Sequence, residues 1–422
     1  MKKRVLAVNG GEPELKESFP DMFHWPVVTR EDEEAVIEVL RAGTMSGTDI
    51  TRVFEREYAD WAGAKYGLCT CNGTAALQEA LWACGVKTGS EVICPSMTYW
   101  ASAASVVAMG GEVVFADIDP VTLCLDPGDI EHRITGRTVA IMAVHYAGHP
   151  ADMDSINAVA RRHGLKVIED ASHAQGGFYR GRMCGTLGDI SGTSLMGGKA
   201  FAVGEGGIVL TDSRELIEKC MLFGHYERLG YSQYSLASEK LTACPEYVRF
   251  IGIPMGGVKH RMNQTCAAMG RVQLKHYPER CAEIDRAMNY FWDNLSGLPG
   301  IRAHRITGDG CSMGGWYNPR GLFRSEELDG LTCERFCEAV RAEGVRSIPG
   351  TNYPLHKHPY FTSSDAFGRG RKTVAEPEYL PVSENTAKTV FTLPWFKHDR
   401  FDVIDRYIAV FRKVLTNYRE LL

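Results

Sequence analysis

From residue 66 onward the chain alternates short apolar runs with longer stretches in which apolar residues return every three or four positions. The runs YGLCTC (66–71), EVICP (91–95), EVVFADI (112–118), VAIMAVH (139–145) and LKVIED (165–170) have the length of buried strands. Between them the spacing predicts helices over Ala75–Cys84, Trp100–Met109 and Met153–Arg162, the last stopped by Gly164. Strands separated by helices predict an α/β fold with a large, mainly parallel sheet, because parallel neighbours need a crossover and the crossover helices cover both faces. Such sheets bind ligands at the carboxyl ends of their strands.

A longer helical pattern fills Thr265–Leu295, and beyond Gly300 the elements shorten, with a helix predicted over Cys333–Glu343. A domain boundary is expected in or after the long helix. Residues 1–280 then form an N-terminal segment and a large domain, and residues 281–422 a smaller C-terminal α/β domain. The aromatic stretch 225–257 lacks periodicity and is expected to be a structured loop.

Composition narrows the classes that remain. Of the 422 residues 44% are hydrophobic, yet no apolar run approaches the ~18 residues that a bilayer span requires. The apolar part of the N-terminus is only Val5–Val8, too short for a secretory segment, so a cytoplasmic protein with no membrane contact is expected. Net charge is −5 with both signs interspersed, and no basic stripe exists to follow a nucleic acid backbone. The thirteen cysteines are scattered, the closest spacings being Cys69-x-Cys71 and Cys333-x3-Cys337, which reads as reduced core thiols. His356-Lys357-His358 has no second pair of ligands nearby, and no metal site is expected.

Four segments carry candidate chemistry. CNGTAAL (71–77) follows a strand and opens a helix, so Gly73, Thr74 and Ala75 would offer backbone N–H groups to an anion, although a plain capping turn reads the same way. VIEDASHAQG (167–176) puts Asp170 at a strand's carboxyl end, where a carboxylate can hold a pyridine nitrogen protonated; terminating the strand is the alternative role. His173 follows three residues later. GDISGTSLMGGKAFAVGEGGIVLTD (188–212) sets Ser194 and Lys199 in a turn of small residues, where a desolvated amine can act as a Schiff-base nucleophile. PSMTYWASA (95–103) supplies Tyr99 and Trp100, one of which can stack on a flat heterocycle.

Taken in order, phosphate turn, aromatic, aspartate, serine and lysine stand at the ends of successive predicted strands. In that order they resemble the DegT/DnrJ/EryC1/StrS aminotransferases, pyridoxal 5'-phosphate (PLP) enzymes of fold type I that aminate keto-sugars and keto-cyclitols. The resemblance extends through LAVNGG (6–11), FEREYADWAG (54–63), DIDPVTLCLDPGDIEHRIT (117–135) and HRMNQTCAAMGRVQLKH (260–276). It implies an aspartate-aminotransferase-like fold in which Lys199 holds PLP and moves protons, and Asp170 pairs with the pyridine nitrogen. It further implies that His173 meets the ring hydroxyl, Tyr99 stacks on the ring, and Ser194 with Gly73 and Thr74 holds the phosphate.

The resemblance also implies a homodimer in which Lys259 or Arg261, within VKHRMNQ (258–264), reaches the partner subunit's site. Relatives commonly carry Asn-Tyr-Arg-Met or Lys-Tyr-Asn at this place. LAVNGG, Trp25-Pro26 and the long 225–257 stretch look most like the branch that aminates scyllo-inosose-type cyclitols from L-glutamine or L-glutamate, in aminocyclitol or aminosugar biosynthesis. Nucleotide-linked keto-hexoses are the rival acceptors, and PLP-dependent dehydration is a further alternative. GTNYPLHKHPYF (350–361) lies where relatives shape the acceptor pocket. Tyr353 and His356 are its candidate hydroxyl contacts, with a surface loop position the alternative for His356.

Overall fold

The computed structural model describes residues 5–229, 240–363 and 379–422. Helices α1 (Arg30–Ala42) and α2 (Asp49–Ala62) lead into strand β1 (Tyr66–Thr70). The chain then alternates through α3 (Gly73–Ala83), β2 (Glu91–Pro95), α4 (Trp100–Ala108), β3 (Glu112–Ala116), α5 (Pro127–Arg133), β4 (Thr138–Val144), α6 (Met153–His163) and β5 (Lys166–Asp170). A small hairpin of β6 (Phe178–Tyr179) and β7 (Arg182–Met183) precedes β8 (Ile190–Ser194), β9 (Gly207–Thr211) and α7 (Arg214–Gly224). The 32-residue helix α8 (Gln264–Leu295) crosses to the second part of the chain. There follow β10 (Ile301–Ala303), β11 (Arg320–Phe323), α9 (Cys333–Ala342), the one-turn α10 (Pro359–Thr362), α11 (Pro381–Thr389), β12 (Val390–Thr392) and α12 (Phe401–Thr416).

Side-chain caps decide where several helices begin. Asp152 accepts from the Ser155 N–H, Ser213 from Leu216 and Thr332 from Arg335, each satisfying a donor that the first turn leaves without a partner. Asn72 caps α3 in the same way, accepting from the Ala75 N–H at 2.9 Å. The helix therefore starts at Gly73, ahead of the Ala75 expected from the apolar spacing.

The large sheet has seven strands in the order β1-β9-β8-β5-β4-β2-β3. The pairs from β3 to β8 are parallel, while β9 runs antiparallel to both β8 and β1. The reversal follows from the connection: residues 195–206 contain no helix to cross a face, so the chain doubles back beside β8. As a result β1, β2, β4, β5 and β8 all end on one edge, and the loop carrying Lys199 starts there.

A three-stranded antiparallel sheet, β10-β11-β12, organises the second part. Its core joins Ile284, Phe291, Phe323, Phe336, Phe391 and Phe411 to three residues from the start of the chain, Leu6, Leu15 and Met22. Leu6, Leu15 and Met22 of the N-terminal segment thus pack with the C-terminal core. The Glu343 carboxylate at the end of α9 accepts from the Ala7 and Glu14 N–H groups, which holds the segment there. Helix α8 serves both parts, since Ala267, Leu274 and Tyr277 line a core beneath the large sheet while Ile284 to Phe291 line the second.

In the stretch 225–257, Tyr226–Leu229 and Pro245–Phe250 form short 3-10 turns, and residues 230–239 lie outside the described ones. All thirteen cysteines are free thiols. Among the described residues no helix is long and apolar enough to cross a membrane.

Candidate active site

Lys199 sits in the loop that leaves β8, and the backbone on either side of it is fixed. Gln175 donates from Nε2 to the Ser194 and Phe201 carbonyls at 2.7 and 3.1 Å and accepts from the Phe201 N–H at 2.8 Å. Trp25 Nε1 donates to the Lys199 carbonyl at 3.0 Å. The Lys199 side chain is 7% exposed, and its Nζ lies 4.2 Å from the centre of the Tyr317 ring. Burial lowers its pKa from the ordinary 10.5 to about 8, against the opposing pull of the Asp170 charge. An amine in that state supplies its nucleophilic, unprotonated form near neutral pH.

Asp170 and its neighbour Glu169 end β5 and point to opposite faces, as successive strand residues must. Glu169 is wholly buried and structural, accepting from the Gly185, Leu187 and Gly188 N–H groups and bonding His145 Nε2 at 2.8 Å. Asp170 turns to the other face, where Oδ2 accepts from Ser102 Oγ at 2.6 Å and Oδ1 from the Ser172 N–H at 3.1 Å. That carboxylate is held in place on the side where its charge reaches Lys199.

His173 is buried, and its Nδ1 accepts from the Ala147 N–H at 3.3 Å. With Nδ1 an acceptor, the proton of the neutral ring lies on Nε2, which is left as a donor. Burial first, and then the charges of Lys199 and Arg320, hold the imidazole well below its ordinary pKa. Its ring lies 4.5 Å from that of Tyr317 and 5.8 Å from that of Tyr146.

The start of α3 meets the end of β8. A Cβ on Gly73 would come within 2.5 Å of Ser194 Cβ, so only glycine permits this approach. Ser194 is fixed through its N–H, which donates to Ser172 Oγ at 2.9 Å. The Gly73 and Thr74 N–H groups and the Ser194 hydroxyl share one small cradle at a helix N-terminus. Ala75 does not add to it, because its N–H is committed to the Asn72 cap.

The remaining expected residues fall into different settings. Tyr99 is the N-cap residue of α4, 47% exposed, with its ring 5.0 Å from that of Trp100. Segment 258–262 runs beside the cradle: the Cys71 N–H donates to the His260 carbonyl, and Arg261 bridges to Thr70. His260 faces inward to Glu79, with Nδ1 to Oε1 at 3.1 Å, so Lys259 and Arg261 flank it on the opposite face of the extended chain. Lys259 is exposed and Arg261 half-buried.

His356 is neither a surface residue nor open to a ligand. It is 5% exposed, and both ring nitrogens are occupied, Nδ1 by Ser96 Oγ at 2.5 Å and Nε2 by Glu384 at 3.0 Å. Tyr353 is 59% exposed. The link from this loop to the site is Asn352, whose Oδ1 accepts from the Tyr146 hydroxyl at 2.6 Å. Ser102, Gln175, Tyr317 and Trp25 are site neighbours that reading the sequence had not assigned. Ser102 is one more small residue on an apolar helix, and Tyr317 lies more than a hundred residues from the lysine whose amine it faces.

Residues 26–412 match the DegT/DnrJ/EryC1/StrS aminotransferase family. The L-glutamine:scyllo-inosose aminotransferase of Streptomyces griseus is 32% identical over 437 residues, covering 99% of each chain. GDP-perosamine synthase of Caulobacter vibrioides is 36% identical over 311 residues, 72% of this chain and 77% of that one. A solved aminotransferase from Psychrobacter cryohalolentis superposes with a TM-score of 0.80 at 27% identity, over 94% of this chain and 99% of its own.

Proposed function

Because the chain belongs to the DegT/DnrJ/EryC1/StrS family of PLP-dependent aminotransferases, we propose that it transfers the amino group of L-glutamine or L-glutamate to the ketone of a cyclitol of the scyllo-inosose type. The observation that carries this reading is the buried Lys199 amine, with its lowered pKa, beside the Asp170 carboxylate.

The residues present fit PLP. The cradle of Gly73, Thr74 and Ser194 suits a phosphate, since a side chain at position 73 would fill it. Asp170, anchored by Ser102 and Ser172, is the acceptor for a pyridinium N–H, and His173 Nε2 is the donor for the ring oxygen. Tyr99 supplies an aromatic face. When bound, PLP draws off the electron pair of the bond broken at the donor's α-carbon.

Lys199 Nζ holds the cofactor and, once freed, takes the proton from the donor's α-carbon and returns one in the second half of the reaction. Its lowered pKa suits both directions, because a base near the working pH gives up its proton as readily as it takes it. Gln175 and Trp25 keep the Lys199 backbone still while the side chain changes partner. The Asn352 loop borders the site through Tyr146 and forms a wall for a hydroxyl-rich ring, with Tyr353 beside it. Two copies of the chain complete the site, with Lys259 or Arg261 of one subunit reaching the other's cradle. The sites of that homodimer lie in the cytoplasm.

Nucleotide-linked keto-hexoses remain the second reading, supported by the 36% identity to GDP-perosamine synthase. Purified enzyme is assayed with glutamine or glutamate against scyllo-inosose and against a nucleotide-linked 4-keto-hexose. Amination of scyllo-inosose with loss of at least about 10³-fold in rate for Lys199→Ala is the expected result. Full activity of the alanine variant, or dehydration without transfer of nitrogen, would sink the proposal.

A further inference from the structure

Helix α3 is apolar along most of the surface it buries, yet it carries an acid there. Glu79 is fully enclosed, in a stretch with buried Leu77, Ala80 and Leu81. A buried carboxylate is strongly disfavoured unless hydrogen bonds and an opposite charge meet it, a demand that a leucine in the same place would not make.

What meets Glu79 comes from two other segments. Its Oε1 accepts from His225 Nε2 at 2.9 Å, just after α7, and from His260 Nδ1 at 3.1 Å, in the segment 258–262. Both nitrogens carry protons, because a carboxylate only accepts. On its other side His225 Nδ1 lies 3.6 Å from Glu227 Oε1. Burial pushes the His225 pKa down, but the charges of Glu79 and Glu227 outweigh it and lift the value to about 9, so the ring is an imidazolium at neutral pH. Burial likewise opposes ionisation of Glu227, but His225, with Arg261 adding to it from a distance, holds its pKa below the ordinary value. Glu79 Oε2 and both Glu227 oxygens are enclosed without a hydrogen bond among the described residues. Two carboxylates around one imidazolium, with acceptors left over, are a poor device for stability alone.

What the cluster does fix is His260. Its N–H donates to the Gly224 carbonyl at 3.1 Å, its carbonyl accepts from the Cys71 N–H, and its ring is held by Glu79. These partners come from the end of α7, the turn before α3 and α3 itself. The fit is close, since a Cβ on Gly224 would come within 2.9 Å of Glu79 Oε1 and 3.1 Å of His260 Cβ. The backbone bonds fix where the segment runs, and the bond from the ring to Glu79 fixes which face turns inward. Lys259 and Arg261 therefore leave the opposite face in one set direction.

We propose that Glu79 is a positioning residue: by holding His260 inward beneath α3, it aims Lys259 and Arg261 at the cofactor phosphate in the neighbouring subunit's cradle. The inference rests on the homodimer reading above, in which this segment reaches the other site. Because α3 also opens the cradle of its own subunit at Gly73, an effect within one subunit has to be separated from an effect on its neighbour.

The readout is the difference between PLP and pyridoxal, which lacks the phosphate. Each is titrated into the cofactor-free protein, and binding is followed by the visible absorbance of the cofactor held by Lys199. Glu79→Leu and His260→Phe should each lose about tenfold in affinity for PLP, the effect of losing one charge-assisted hydrogen bond to the phosphate, and nothing for pyridoxal. His260→Asn, which keeps a donor where Nδ1 stands, should bind PLP within about twofold of the wild type. A heterodimer of a Glu79→Leu subunit and a Lys199→Ala subunit then separates the two routes. Its one Lys199 lies in the Glu79→Leu subunit, whose cradle receives the unaltered segment of the other chain, so PLP affinity at that site should return to the wild-type value. The same heterodimer built with His260→Phe carries the comparison should Glu79→Leu fail to fold.

Affinity that stays low in the heterodimer would confine the effect to one subunit and overturn the proposal, as would an equal loss for pyridoxal or no loss in either variant. A wild type that binds PLP in this phosphate-dependent way yet transfers no amino group would overturn the functional reading while leaving the positioning role in place.

Discussion

At the scale of single residues, the proton on Lys199 is the quantity that matters. Its folded-state pKa of about 8 lies below the 10.5 of an unfolded chain. Between those values the unfolded state binds more protons, so the stability contributed by this group rises with pH through that window and is lowest where the amine is charged in both states. In the cofactor-free protein, pulse labelling with an amine-selective reagent, read by peptide mass spectrometry, should show Lys199 titrating with a midpoint near 8, well below exposed lysines. Asp170→Asn removes the anion that favours the charged amine and should lower the midpoint further. A midpoint at the ordinary lysine value would contradict the burial argument.

The candidacy of this lysine was legible in the sequence because Ser194, the glycine loop and Asp170 lie close along the chain. Tyr317, whose ring faces its amine, and Trp25, which holds its backbone, were not legible, because each comes from a distant segment.

Among the elements, the junction of α3 with β8 is a close contact in the site. Gly73→Ala places a methyl 2.5 Å from Ser194 Cβ and 2.7 Å from its Cα, so the helix start and the strand end must move apart. Overpacking of this kind should cost about 2 kcal/mol in a denaturant titration and weaken cofactor binding by more than about tenfold. Gly136→Ala is the control: nothing lies within 4 Å of its Cβ, and stability should stay within about 0.5 kcal/mol. The reverse order of effects would remove the cradle from the proposal.

Element positions were read well from periodicity where burial is regular, as in β2, β4 and β5. They were read less well where a polar cap sets the limit, as at Asn72. The direction of β9 depends on what a helix-free connection can do, and hydrophobic spacing does not encode it. His356 shows the same limit for a loop, since its composition suits a surface or a pocket, whereas Ser96 and Glu384 draw it inside.

For the whole molecule, the N-terminal segment ties the two parts together. Met22 is fully buried in the C-terminal core, and Trp25, three residues on, donates to the carbonyl of Lys199. Met22→Ala should therefore destabilise the protein by about 2–4 kcal/mol, measured by chemical unfolding. It should also lower kcat at temperatures below the transition, because the Trp25 anchor loosens with it. Loss of stability with an unchanged kcat would show that the segment is a passive cover.

Periodicity, turn residues and strand-end motifs determined by themselves the α/β architecture and made Lys199, Asp170 and Ser194 candidates, since these signals act over a few residues at a time. Only the tertiary structure decided that Trp25 grips a carbonyl 174 positions away and that Ser96 and His356 bond across 260. The physical reason is that a side chain's partner and burial are set by which faces of distant elements pack together, and that packing leaves no local trace in the pattern of apolar and polar positions.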